Sequence, residues 1–237
     1  YNADDSVLIL HRNIQQSIAL GLKYMEITQR KETIAGHSYR GEWQTFMCLR
    51  NGFVLLGWKK KADDSNCFSV ASIHNSLANI YLSYPEYDNI PGMLDLSFER
   101  IMGYKNGDKF NFWNLLPPNR KLKKGDTLGK QPLVRRPTNY KLKTKYINNA
   151  ANVVEDTDDT ALGYTAIALR KKIQKTKDKT DSINFPIKQI GPIFDKYRDV
   201  NRHNRHWYNY LFGNDHETGA YLTWLGDEYQ FKHWNII

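Results

Sequence analysis

Asp156, Asp158 and Asp159 put three carboxylates within four residues, in the run Asp156-Thr157-Asp158-Asp159-Thr160-Ala161. Carboxylates this close repel, so one is expected to hold its proton more strongly than a free aspartate. The residues that follow have a helical period. A helix N-terminus offers free N–H groups and the positive end of the dipole, which offsets part of the repulsion. Such a cluster can supply an acid, hold a hydroxyl-rich ligand or bind a cation. It can equally do no more than cap the helix, because Asp and Thr are preferred there. An EF-hand loop beginning at Asp156 needs Gly at its sixth position and Glu at its twelfth. Those positions are Ala161 and Ile167, which excludes that kind of calcium site.

Two further clusters mix acids with aromatic rings. Asp215, His216 and Glu217 precede Tyr221 and Trp224, and Glu42 sits beside Trp43 in a glycine-bearing loop. Paired carboxylates beside flat rings are what a glycoside-processing cleft needs: an acid, a base and surfaces for sugar faces. On this reading Asp158 is the acid, with Asp156 and Asp159 tuning it. Glu217 and Glu42 are the opposing carboxylates, and Trp43, Tyr221 and Trp224 are the stacking platforms. Asp215 and His216 are further ligand contacts. The plainer alternatives are a polar turn at 214–218 and a solvated Glu42.

Other chemistries have little behind them. No G-x-S-x-G elbow, P-loop or G-x-G-x-x-G occurs, so no nucleotide or dinucleotide cofactor is expected. His203 and His206 are three apart, but no HExxH or paired cysteines accompany them, and no metal site is assigned. His74 lies four residues after Val70 and three before Leu77, which points it inward as a hydrogen-bonded core histidine.

The acidic run resembles the DxDDTA acid motif of class II terpene cyclases, the squalene–hopene cyclase group. The likeness covers about a dozen residues, through Leu162-Gly163-Tyr164. It implies an α/α toroid, proton-donating chemistry on a terpenoid, Asp158 as the donor, and Asp156 and Asp159 as flanking partners.

Helices must position these groups. Val7, Leu10, Ile14, Ile18, Leu22 and Met25 recur at three or four and predict a helix over Ser6–Arg30. Gly36–Trp58 reads as loops and short extended pieces. Asp63–Asn66 is a capping turn before a second helix, about Ser69–Tyr84, ended by Pro85. A third begins at Pro91 and stops at Gly103 and the Lys105–Asp108 turn. Lys109–Asn152 has no helical period, and within it Tyr140–Tyr146 alternates as a hairpin strand would. A fourth helix spans about Asp158–Thr176, slimmed by Ala161, Gly163, Ala166 and Ala168 for close packing. A fifth runs from Ile187 to about Leu211, and Thr218–Trp224 is a short helix or strand. Helices of similar length separated by long loops suit a mainly α, α/α-toroid-like single domain over 1–237, with a basic loop at about 104–152.

The 237 residues, 41% hydrophobic and 13% aromatic, can bury a substantial core. No apolar stretch approaches the roughly 20 residues of a membrane span. Net charge is +9, and residues 117–148 carry ten Lys or Arg against the single acid Asp126. That segment therefore holds the whole excess, and an anionic partner at 117–148 is the competing, non-enzymatic reading. Cys48 and Cys67 are one disulfide or two thiols, with Cys67 reading as a buried free thiol. A first residue of Tyr1 in place of Met fits a removed secretory leader or a trimmed fragment, and leans toward a secreted or periplasmic location.

Overall fold

The computed structural model describes residues 3–34, 37–48, 61–117, 133–136, 152–178, 187–198, 200 and 219–226. Among these the chain is mainly helical. Its helices are α1 (Ala3–Thr28), α2 (Cys67–Ser83), α3 (Ile90–Met102), α4 (Thr157–Asp178) and α5 (Ile187–Asp195).

Local chemistry sets their ends. Asn66 caps α2 by accepting the Ser69 N–H at 2.8 Å, and Pro85 follows its last turn. Pro91 opens α3, and the Gly103 N–H closes it on the carbonyls of Glu99 and Arg100. Asp156 caps α4 by accepting the Asp159 N–H at 2.8 Å.

The β-structure is four short antiparallel pairs. They are β1 (Thr33–Ile34) with β2 (His37–Ser38), β3 (Phe46–Cys48) with β4 (Lys61–Asp63), β5 (Lys105–Asn106) with β6 (Lys109–Phe110), and β7 (Leu115–Leu116) with β8 (Val134–Arg135). The Lys105–Asp108 turn is thus the tip of a hairpin. The β7–β8 register, Leu115 with Arg135 and Leu116 with Val134, closes the base of the basic segment. The alternating stretch at 140–146 lies outside the described residues.

Helices α2, α3 and α4 form the core. Cys67, Val70, Ala71, Ile101, Tyr104, Phe110, Tyr164, Ala166 and Ile193 make one buried cluster. Leu22, Trp43, Leu77, Ala78, Ile90, Met93 and Leu94 make the other. Asn75 ties α2 to α4 through a 3.1 Å bond to the Leu162 carbonyl. Among the described side chains of α1, Leu22 and Met25 near its C-terminal end join this core. Leu22 is buried, while Ile14 and Ile18 on the same stripe are 51% and 43% exposed. Gln29 anchors that end with bonds to the Gly41 and Met93 carbonyls at 3.2 and 2.9 Å.

The fifth helix is shorter than its periodicity predicts. It ends at Asp195, three residues after the internal Pro192. Tyr197 and Arg198 then leave the helix, and Arg198 bridges to Tyr221. The segment 219–225 is extended, and Trp224 bridges to Asp156.

The expectation of close packing at Gly163 is met. A Cβ there would lie 2.8 Å from three carbons of the Phe110 ring, and Phe110 is fully buried. Gly163→Ala should therefore destabilise the fold by about 1–2 kcal/mol. The overpacking cost of roughly 1–3 kcal/mol outweighs the ~1 kcal/mol of helix propensity gained. Urea denaturation measures it, and a variant as stable as wild type would contradict this contact.

Candidate functional site

The segment 155–160 is where several elements meet. Its main chain pairs with the extended segment: Leu225 N–H donates to Glu155 O at 2.7 Å, and Thr157 N–H to Thr223 O at 2.9 Å. The Thr157 hydroxyl adds a bond to the Leu222 carbonyl. On its other side the Phe110 N–H of β6 donates to the Thr160 hydroxyl at 3.2 Å. The Cys67 N–H at the start of α2 donates to Phe112 O at 2.9 Å. The acidic run therefore sits where the starts of α2 and α4 meet the β5–β6 hairpin and the segment 219–225.

The three aspartates of the run separate by helical geometry. Asp158 is exposed, Asp156 is 6% exposed and Asp159 is fully buried. Asp159 shares its face with Gly163 and Ala166, the face that packs on α2. Asp156 spends one oxygen on the Asp159 N–H. No N–H or hydroxyl among the described residues donates to either Asp159 oxygen. Its carboxyl faces the Asp156 carboxyl and the Cys67 thiol.

Burial pushes the Asp159 carboxyl well above the usual carboxylate range, and the Asp156 and Asp158 charges push it further. Asp156 is raised as well, by burial first and by Asp158 next, although the Asp159 N–H opposes this. The pair therefore retains a proton at neutral pH, and we assign it to Asp159. The Cys67 thiol is raised by burial and then by the same two carboxyls, so it is an inert free thiol.

The other buried carboxylates are compensated by cations. Glu155 lies 3.6 Å from Lys109 Nζ, pairs with the buried Arg135 and accepts from Asn106 at 2.6 Å. Burial raises it, but Arg135 and these hydrogen bonds win and hold it below its ordinary value. Glu42 lies 3.3 Å from Arg100 Nε and 3.8 Å from Arg30, and accepts from Ser65 at 2.6 Å. Here burial wins over Arg100 and leaves it raised. Among the described residues, no cation pairs with Asp156 or Asp159.

The remaining predicted residues are scattered. Glu42 is a buried ion-pair partner, neither a solvated loop residue nor a carboxylate open to a cleft. Trp43 is 6% exposed, packs in the core and donates its indole N–H to Met25 O at 2.8 Å, so its ring is no open platform. Trp224 is half-buried and adjoins Asp156 through the backbone. Tyr221 is exposed, with Arg198 5.4 Å above its ring. Asp215, His216 and Glu217 lie outside the described residues, as do eight of the ten basic residues counted in 117–148. The other two, Arg135 and Arg136, are buried, the first on Glu155 and the second on Pro117 O at 2.8 Å. No group of side chains that could hold a metal ion occurs among the described residues, and no described helix is long and apolar enough to cross a membrane.

Sequence reasoning overlooked Glu155, and it read Cys67 as a buried free thiol without placing it beside the acidic run. Glu155 was visible as the residue that extends the acidic run upstream. Cys67 carries no sequence signal for its place beside Asp159, because that contact is made by packing α2 on α4. No family model, curated protein or solved structure matches this chain.

A proton bound only in the folded state makes stability depend on pH. The unfolded chain releases its aspartate protons above about pH 4, whereas folded Asp159 keeps its own. The stabilising proton is therefore fully effective below that range, and stability falls as pH rises through neutrality. Asp159→Asn has no charge to bury and leaves Asp158 as the remaining like-charged neighbour of Asp156. Its thermal midpoint should exceed wild type at pH 9 by roughly 4–8 °C, the equivalent of about 2 kcal/mol. At pH 5 the two should be close. Equal midpoints at both pH values would contradict the assignment.

Proposed function

We propose that this chain is an acid-catalysing domain of α/α-toroid-like architecture, acting on a carbohydrate or similar polyol. The single observation behind it is Asp159: a fully buried carboxyl facing a second carboxyl and the Cys67 thiol, with no N–H or hydroxyl among the described residues donating to either oxygen. A carboxyl kept protonated at neutral pH can donate to a weakly basic oxygen, which an ordinary aspartate at that pH cannot. Asp159 holds the proton, and Asp156, nearer the surface, passes it outward. The exposed Asp158 adds negative charge that keeps the pair protonated. Trp224, half-buried and joined to Asp156 by backbone pairing, supplies an aromatic ring beside the acidic run. Glycoside hydrolysis also requires an opposing carboxylate, and the sequence candidate for it is Glu217, which lies outside the described residues.

The toroid reading draws on where the elements end. The starts of α2 and α4, the β5–β6 hairpin after α3, and the segment 219–225 gather at one end of the helices. In a toroid the loops of one rim line the cleft.

A second reading keeps the same acid and changes the substrate. Asp159 adjoins the apolar cluster of Cys67, Phe110 and Tyr164, and a dry setting suits protonation of a terpenoid double bond. The resemblance of the run to class II terpene cyclases supports this version.

Assay of wild type on a broad panel of glycosides tests the first reading. Asp159→Asn and Asp156→Asn should each lower turnover by about 100-fold or more, as loss of a general acid does. Asp158→Asn should lower it less. Absence of binding or turnover of every glycan by wild type would overturn this reading, as would full activity in Asp159→Asn. Turnover of a polyprenoid with the same ranking of variants would select the terpenoid version.

A further inference from the structure

A cavity of about 190 Å³ opens among α2, α3 and α4, away from the acid pair. Its described walls are His74 and Tyr81 of α2, Pro91, Leu94 and Asp95 of α3, and Arg170, Ile173 and Gln174 of α4. Helix rise separates it from the acidic run. Seven residues of α2 between Cys67 and His74 correspond to roughly 10 Å along the axis.

We assign the one hydroxyl proton of Ser97 to the Met93 carbonyl at 2.8 Å, with the Leu94 carbonyl at 3.3 Å also in reach. The 2.8 Å contact between His74 Nδ1 and Ser97 Oγ therefore has Nδ1–H as donor. The Nε2 of His74 is left as a bare acceptor, and no donor to it occurs among the described residues. His74 is 2% exposed and lines the cavity, so Nε2 is the polar atom it has left for an occupant. Burial, and then the nearby Arg170 charge, push this imidazole down to about 4, against the opposing pull of Asp95. The ring is neutral at physiological pH.

At the mouth, Arg170 and Asp95 are 2.7 Å apart and cancel each other's charge. The cavity thus combines acceptors (Nε2 of His74 and the Asp95 carboxylate) with donors on Arg170 and Gln174. Leu94 and Ile173 supply an apolar wall. Net charge near zero disfavours a simple anion, which meets Asp95, and a simple cation, which meets Arg170. A wholly apolar occupant would leave Nε2 desolvated without a donor, which is unfavourable. A ligand whose hydroxyls both donate and accept satisfies every group. The volume lies below the roughly 300–1,000 Å³ of drug-sized sites, which limits the occupant to one small molecule.

We propose that this cavity is a binding site for a small neutral polyol of monosaccharide size, received by His74, Asp95 and Arg170. The inference stands on the cavity alone and holds whether or not the acid pair is catalytic.

NMR of the protein with ¹⁵N-labelled histidine tests it, using glucose, mannose and sorbitol as probes and acetate as the anionic comparison. In the free protein His74 should show a protonated Nδ1 and an unprotonated Nε2; the opposite tautomer would overturn the proposal. At least one polyol should shift the Nε2 resonance saturably, and acetate should not. Arg170→Gln should weaken that binding by about tenfold, the loss of one charge-assisted hydrogen bond. Arg170 is a third exposed, so this variant keeps the core intact. No saturable shift with any polyol, preference for acetate, or unchanged affinity in Arg170→Gln would each overturn it.

Discussion

The bond from the Asp159 N–H to the Asp156 carboxylate is the contact on which the rest of this architecture turns. It starts α4 at Thr157, and that start sets which side chains of the helix face α2. Once α4 begins there, Asp159, Gly163 and Ala166 share the inward face. Gly163 then admits the Phe110 ring, and Thr160 receives the Phe110 N–H. Glu155 and Thr157, which flank the cap, hold the segment 222–225 by backbone bonds. A cap that elsewhere only ends a helix here joins a hairpin, two helices and an extended segment.

That arrangement costs free energy. Capping needs one carboxylate at Asp156, and the face it selects buries another at Asp159. Glu42 and Glu155 are just as deeply buried, yet each has two cations close by. Among the described residues Asp159 has none, and an asparagine would fill its space without a charge to suppress. A group that burdens the fold and has an uncharged isostere calls for a reason outside stability. Proton donation is a reason that uses the features observed: burial, a second carboxyl and a raised affinity for the proton.

Much of the frame was legible in the sequence because the signals were local. Asn66 before an apolar period, Pro91 and Gly103 each have one dominant structural use, and α2 and α3 end close to where these residues put them. The acidic run was legible as a helix start for the same reason. Which aspartate faces inward was also present in the spacing, since Asp159 is four residues before Gly163 and seven before Ala166. The likeness to the cyclase motif drew attention instead to Asp158, which is exposed. Long-range contacts were not legible. Trp43 looked like a loop aromatic, and its burial comes from packing with Leu22, Leu77, Ile90 and Met93, the Met25 carbonyl taking its indole N–H. The fifth helix was read too long because Tyr197 keeps the apolar period while serving a different purpose. Its carbonyl accepts the Leu222 N–H, and its hydroxyl accepts from Lys109 at 3.1 Å. The cavity at His74 needed three helices in place before its polar groups could be seen together.

The central claim is that the Asp156–Asp159 pair carries a proton at neutral pH in the folded protein. Carbon-detected NMR of the aspartate carboxyl groups, titrated from pH 4 to pH 10 with Asp156→Asn and Asp159→Asn for assignment, measures this directly. The account predicts that one carboxyl of the pair, assigned to Asp159, remains protonated at pH 7 and ionises only above it. Two fully ionised carboxylates at pH 7 in the folded chain would contradict it.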